Sequence, residues 1–412
     1  MPMPSTPLTV TDAAGIIGDA GFGPQPHGVG LELEYFVVGA FGSPVTDIET
    51  LRTIVEADGE LPCASRLTFE PGGQLEISTA RRDSGPEAIE AAQRDSLAVR
   101  SRLAAHGLSC IAVGTDAGGQ RPRVLDEPRY RAMAEYFARR GCAGATMMRN
   151  TASMQVNVPY APDLDAQWEY AHDLAPVLAA VFAHSPLLDR RPTGWQSTRL
   201  ATWAALDPAR TRPVALAAVS AREAWTAYAL AAPVMLRQDG PDCTVPGTPL
   251  TLQDWIERGH DGTRPDENDI AYHLTTLFPP IRPRGWLECR MLDAVPEPWW
   301  AVAAAVTITA LTHAETRALL TPVVDGASDR WLDAAWYGVH DPTLAELGRV
   351  VLATTAPVIA ASGYCSTVVE QLDEFRARYT DRGRSLADDL LDRFALLGTV
   401  TPEPERVPAT SR

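Results

Sequence analysis

Apolar and polar residues alternate along VGLELEYFVV, GGQLEIST, TASMQVNV and RGWLECRML. This is the period of strands with one packed face and one polar face. Leu31, Leu33 and Tyr35 share one face of the first segment, with Glu32 and Glu34 on the other. In the next, Leu75 and Ile77 oppose Gln74, Glu76 and Ser78. Met154, Val156 and Val158 oppose Ser153, Gln155 and Asn157, and Leu287, Cys289 and Met291 oppose Glu288 and Arg290. Strands are predicted at 29–38, 66–70, 74–79, 108–113, 151–158 and 285–292. Helical patterns cover roughly 128–140, 163–184, 221–235, 266–277, 297–320, 343–362, 366–379 and 384–397. A further helix starts at Ser84 ahead of Pro86 and stops at Gly107, a capped start and a glycine end. Strands and helices do not alternate, so the fold class is α+β, with helices packed on an antiparallel sheet. No repeat or linker divides the chain, which reads as a single domain over 1–412 with short disordered ends at about 1–9 and 400–412.

The polar face is unusual for a solvated one. It carries Glu, Gln, Asn and one Arg rather than Thr, Ser and long charges of both signs, and Gly30, Gly72, Gly73 and Gly285 flank it. In LTFEPGGQLEIST, Glu70 and Glu76 stand on either side of a Pro-Gly-Gly break that weakens a strand. One reading is an edge hairpin on a sheet with a wet face. The other is a cavity into which Glu32, Glu34, Glu70, Glu76 and Glu288 converge, the glycines letting a ligand approach. A carboxylate pair 4 Å apart would then cost roughly 4 kcal/mol at an effective dielectric near 20. Protonation or a divalent cation must offset several such pairs. All-oxygen ligands favour Mg²⁺, Mn²⁺ or Ca²⁺ over zinc, and Mg²⁺ commonly completes its shell with substrate phosphates.

A net charge of −16 argues against nucleic-acid binding. All 36 residues counted as Lys or Arg are arginine, which excludes a P-loop lysine, a Schiff-base lysine and a lysine nucleophile. Cysteines 63, 110, 142, 243, 289 and 365 show no disulfide or zinc spacing and read as buried free thiols in a reducing cytoplasm. The N-terminus lacks a signal-peptide pattern. The most apolar helix, from Trp299 to about Leu311, is too short to span a bilayer. These readings place the protein in the cytoplasm, without a membrane partner. No histidine pair has metal spacing, GVGLELEYF lacks the third glycine of a dinucleotide fingerprint, and GTDAGGQ reads as a surface loop. Trp299, Trp300, Trp331, Trp336 and Tyr337 read as helix packing.

Together VGLELEYF, FEPGGQLEIS, MMRNTASMQVNV and RGWLECRMLDAVP resemble the glutamate–cysteine ligases of the plant-type family. TGWQSTRLATWAALDPART, DIAYHLTTLFPPIRPRGWLECRMLD and RGRSLADDLLDR resemble its actinobacterial branch, which serves ergothioneine biosynthesis. The similarity runs from about Gly28 to about Arg393. The resemblance implies a curved, funnel-like antiparallel sheet related to glutamine synthetase. It implies two or three Mg²⁺ ions bridging carboxylates, ATP and L-glutamate, with L-cysteine as amine acceptor. Matched motif by motif, Glu32, Glu34, Glu70, Glu76 and Glu288 are metal ligands, and Glu288 and Arg290 form the catalytic E-x-R strand. Gln155, Asn157, Arg199 and Arg290 meet substrate or nucleotide. Arg129, Tyr130 and Met133 match a helix whose role reads as structural, Arg149 receives no role, and Cys289 reads as apolar-facing. A γ-glutamyl ligase for another small amine, a carboxylate-cluster metal phosphohydrolase and a non-enzymatic binding homologue remain as alternatives. Oligomeric state is not legible.

Overall fold

The computed structural model describes residues 7–24, 27–214, 219–398 and 404–405. Its strands are β1 (Gly30–Val38), β2 (Arg66–Phe69), β3 (Leu75–Ser78), β4 (Ser109–Ile111) and β5 (Ser153–Val158). There follow two small hairpins, β6 (Leu187–Leu188) with β7 (Arg191–Pro192) and β8 (Arg237–Asp239) with β9 (Asp242–Thr244), then β10 (Ile281–Pro283) and β11 (Leu287–Asp293). Seven strands form one antiparallel sheet in the order β10-β11-β5-β1-β3-β2, with β4 pairing the far end of β1. The α+β expectation holds.

Leu31, Leu33 and Tyr35 of β1 point into the main core, as do Leu75, Ile77, Met154 and Val156 of its neighbours. Helices Gly85–Ala105, Leu164–Val181 and Trp299–Thr312 pack against this sheet. Trp299–Thr312 is apolar on every side and buried, as a helix without a polar face must be. The expected helix over 297–320 is two helices, because His313 ends the first and its Nδ1 caps the N-terminus of the second, Ala314–Val324. Helix Pro342–Ala361 is long and apolar enough to cross a membrane by length and composition, but it packs on Leu164–Val181 and Trp299–Thr312. Helices Val10–Phe22 and Ile48–Glu56 escaped the pattern reading, although Thr9 and Asp47 cap them. The expected disordered ends fall mostly outside the described residues. Glu405 is a departure, since it is buried beside Arg100.

Cys289 lies on the apolar side as expected. All six cysteines are free, but only Cys110 and Cys289 are buried; Cys142 and Cys365 are exposed. Trp299 packs edge-on against Phe375 and Tyr379. Trp336 and Tyr337, read as packing residues, lie largely at the surface, Trp336 against Trp195.

A second apolar cluster around Met133, Phe137, Met147, Met148 and Met235 is separate from the main core. A buried polar network ties it down. Arg210 is fully buried and donates to Asp207, Thr276, the Tyr136 hydroxyl and the Pro233 carbonyl. Tyr136 donates to Asp207 at 2.6 Å. Arg210→Ala would strand a buried carboxylate and is expected to cost about 3 kcal/mol. A urea titration checks this, and an unchanged midpoint would remove the network from the stability account.

Candidate functional site

The polar face of the sheet and the methionine-rich cluster enclose a cavity of about 270 Å³. Glu32, Glu34, Glu70, Glu76 and Glu288 line it with Gln155, Arg199 and Arg290. Strand pairing explains the gathering, because residues directly opposite each other share a face. Glu34 stands opposite Glu76, Glu32 opposite Gln155, and Glu288 opposite Asn157.

The acids have different surroundings. Glu34 accepts from the Ser153 N–H at 2.8 Å and the Ser153 hydroxyl at 2.6 Å. Glu76 accepts from Thr68 at 2.9 Å and Ser78 at 2.7 Å. Glu32 accepts from the Asn157 amide at 3.1 Å. The Glu70 carboxylate has no hydrogen bond or ion pair among the described residues. Burial, then Glu34 and Glu76, push Glu70 up to about 8. Burial, then Glu288 and Glu76, push Glu32 up to about 7. Glu34 is raised by burial and by Glu76. Negative charge therefore exceeds what the local arginines offset.

Glu288 differs from the other four. Burial opposes its ionisation, yet Arg282 and Arg290 hold its pKa well below the usual range. Arg282 grips it through Nε at 2.5 Å and Nη2 at 3.0 Å, with Arg284 at 3.3 Å and Arg290 at 3.1 Å. Such a carboxylate serves arginines first. Entering a cation's coordination shell would require it to give up one of them. Arg282 was missed in the sequence, although the hairpin register sets it directly opposite Glu288. Arg290 Nη1 also donates to Gln155 at 2.6 Å, while Nε and Nη2 have no partner among the described residues.

Other expectations need correcting. Asn157 holds Glu32 and accepts from Trp286 Nε1 at 3.1 Å, but is not among the cavity-lining residues. At Gly72 the missing side chain makes room for protein, not for ligand. A Cβ on Gly72 would meet the backbone of Arg149 at 2.2 Å. Gly73 has φ +82° beside Ile48 and Val124, and Gly285 forms the β10–β11 turn with φ +82°. Arg129, Tyr130 and Met133, read as structural, line the cavity, and Arg129 also holds Thr275 at 3.0 Å.

Asp293 also escaped the alternation. A bulge in β11 between Cys289 and Leu292 shifts the phase by one residue, so that Asp293 pairs with Ser153. Leu292 is thereby sent to the core and Asp293 to the polar face. Arg199 lies beside it, with Nη1 at 3.9 Å from Asp293 Oδ1.

A larger cavity of about 640 Å³ lies elsewhere, but three of its four acids have an arginine within reach, Arg100 for Glu297 and Glu405 and Arg378 for Asp389. Among the described residues no three His, Cys, Asp or Glu side chains are drawn tightly enough together to hold a metal ion unaided. The donor set nevertheless fits a hard cation: four carboxylates besides Glu288 in one cavity, one without a hydrogen-bond partner among the described residues and two with pKa values raised to about 7 and about 8.

The family model described as glutamate–cysteine ligase family 2 matches residues 28–408. The glutamate–cysteine ligase EgtA of Mycobacterium tuberculosis is 35% identical over 405 residues, covering 94% of this chain and 91% of that protein. EgtA of Mycolicibacterium smegmatis is 38% identical over 361 residues, covering 85% and 83%. Among solved structures, the glutamate–cysteine ligase of Francisella tularensis in complex with AMP superposes with a TM-score of 0.55 at 13% identity, over 92% of this chain and 86% of that one. A bifunctional glutathione synthetase from Pasteurella multocida gives 0.52 at 16% identity, over 93% and 51%. These two share the fold.

Proposed function

The chain belongs to glutamate–cysteine ligase family 2, and from that premise we propose that it joins the amine of L-cysteine to the γ-carboxylate of L-glutamate. ATP is cleaved to ADP and phosphate, and the product is γ-glutamylcysteine, destined for ergothioneine. The observation that carries this reading is the convergence of Glu32, Glu34, Glu70 and Glu76 with Arg199 and Arg290 in one cavity.

In the first step a γ-carboxylate oxygen attacks the γ-phosphorus, the bond to the bridging oxygen breaks, and ADP leaves. In the second, the cysteine nitrogen attacks the acyl carbon of γ-glutamyl phosphate, phosphate departs, and the nitrogen loses a proton. The first step brings two anions together, so neutralising charge is its central difficulty. Mg²⁺, two or three ions held by Glu32, Glu34, Glu70 and Glu76, would neutralise phosphate charge when bound. Arg290 supplies charge-assisted donors to the transferring phosphoryl group. Glu288 and Gln155 hold its Nη1, leaving Nε and Nη2 for substrate. Glu288 anchors the arginines of this wall, and Arg199 presents a buried donor to a substrate anion.

Phosphate release with ATP, Mg²⁺ and glutamate should rise strongly on adding cysteine, with a γ-glutamylcysteine mass in the products. Stimulation by another amino acid would change the substrate but keep the chemistry. Release indifferent to every amine would replace the ligase reading with a phosphohydrolase.

A further inference from the structure

Asp293 is buried at 2% exposure, and its carboxylate oxygens are occupied by three donors. Oδ2 accepts from the His184 N–H at 2.9 Å and the Ser185 hydroxyl at 2.7 Å. Oδ1 accepts from the Ser197 hydroxyl at 2.9 Å. Its cationic neighbour Arg199, 3% exposed, comes no nearer than 3.9 Å and makes no hydrogen bond to it. The usual outcome for a buried Arg–Asp pair is a direct, often bidentate bond. Here the two serines take the place the guanidinium would occupy.

The rest of Arg199 is fixed from the same side. Its N–H donates to the Ser185 hydroxyl at 3.2 Å, and Nη2 donates to the Arg290 carbonyl at 3.0 Å. Ser197 caps the short helix that carries Arg199. Gly114 permits the arrangement, since a Cβ there would meet Asp293 Cγ at 2.5 Å. Nη1 is buried and has no hydrogen-bond partner among the described residues, on a side chain that lines the cavity. A buried donor left unmet is unfavourable unless a ligand completes it.

We propose that Asp293 is a positioning residue: through Ser185 and Ser197 it fixes Arg199 near its charge while withholding a direct bond, so that Nη1 is offered to an anionic oxygen of a substrate. This rests on the ligase reading. The anion is a carboxylate of glutamate or cysteine, or a phosphate of ATP, and the three KM values separate these sources.

The test is steady-state kinetics of the full chain, varying each substrate in turn, with melting temperatures recorded alongside. Arg199→Ala should raise KM for one substrate by about tenfold, the scale of one hydrogen bond from a charged group. Asp293→Asn should raise that same KM by a comparable factor, with kcat changed much less. Ser185→Ala frees a lone pair on Asp293 for Arg199 and should also raise it, in a protein that remains folded. Adding Asp293→Asn to Arg199→Ala should bring no further rise in KM, because the residue through which it acts is gone. Independent, multiplying effects in the double variant would overturn the proposal. So would Asp293→Asn lowering melting temperature and kcat with every KM unchanged, the mark of a merely structural role. A wild-type protein with no amine-dependent turnover would sink the ligase reading instead, a result visible before any variant is made.

Discussion

Arg290→Ala is expected to lower kcat by about 10²–10³-fold, with the KM values changed far less. The side chain is 13% exposed, its Nη1 is clamped between Glu288 and Gln155, and its Cζ lies over the Phe278 ring. It is also held charged: burial works against this, but Glu288, Glu32 and Glu34 raise its pKa. A cation fixed in this way matters most where charge moves, as the carboxylate oxygen reaches the phosphorus. The chain contains no lysine to substitute for it. Arg290→Lys should recover only part of the loss, because an ammonium cannot bond Glu288, Gln155 and a phosphoryl oxygen in one plane. Single-turnover ADP formation checks the claim at the chemical step. A normal rate there, with slow overall turnover, would move Arg290 from phosphoryl transfer to a later step.

Much of this site was legible because apolar and polar residues alternate in β1 as far as Tyr35 and along β3 and β5. Leu31, Leu33 and Tyr35 demand the core, and that alone commits Glu32 and Glu34 to the other face. The reading weakened wherever period 2 broke. In β11 the bulge after Cys289 moves Asp293 onto the polar face, and nothing in CRMLD announces an extra residue. Arg282 was hidden because Pro283 obscured an edge strand, a position where proline is tolerated. Its grip on Glu288 depends on hairpin register, which composition does not express. The glycines misled for a different reason. Sequence shows that backbone must come close, but not to what, and at Gly72 the neighbour is the Arg149 backbone rather than a ligand.

The same crowding of acids predicts that Glu70→Gln makes the metal-free protein more stable at pH 8 while lowering its activity. Glu70 is the informative choice because its carboxylate has no hydrogen bond or ion pair to lose among the described residues, unlike Glu34 and Glu76. Burial with Glu34 and Glu76 raises its pKa from 4.5 to about 8, and burial with Glu288 and Glu76 raises Glu32 to about 7. Between pH 4.5 and 8 the folded protein therefore holds protons that the unfolded chain has released. Stability falls as pH rises through that window. For Glu70 alone the loss is on the order of 5 kcal/mol at most, shared with its coupled neighbours. Glutamine has no such proton to lose. The variant's metal-free melting temperature should match the wild type near pH 4.5 and exceed it by several degrees at pH 8. Mg²⁺ should stabilise the wild type more at pH 8 than at pH 5, since protons compete for the same oxygens, and should stabilise the variant less at both. Turnover should fall, because a ligand that crowds the empty site is also one the cation requires. Melting curves in EDTA and in Mg²⁺ at the two pH values decide it. A gain in stability that does not depend on pH would mean that Glu70 is ionised throughout, and the charge argument for a cation in this cavity would fail with it.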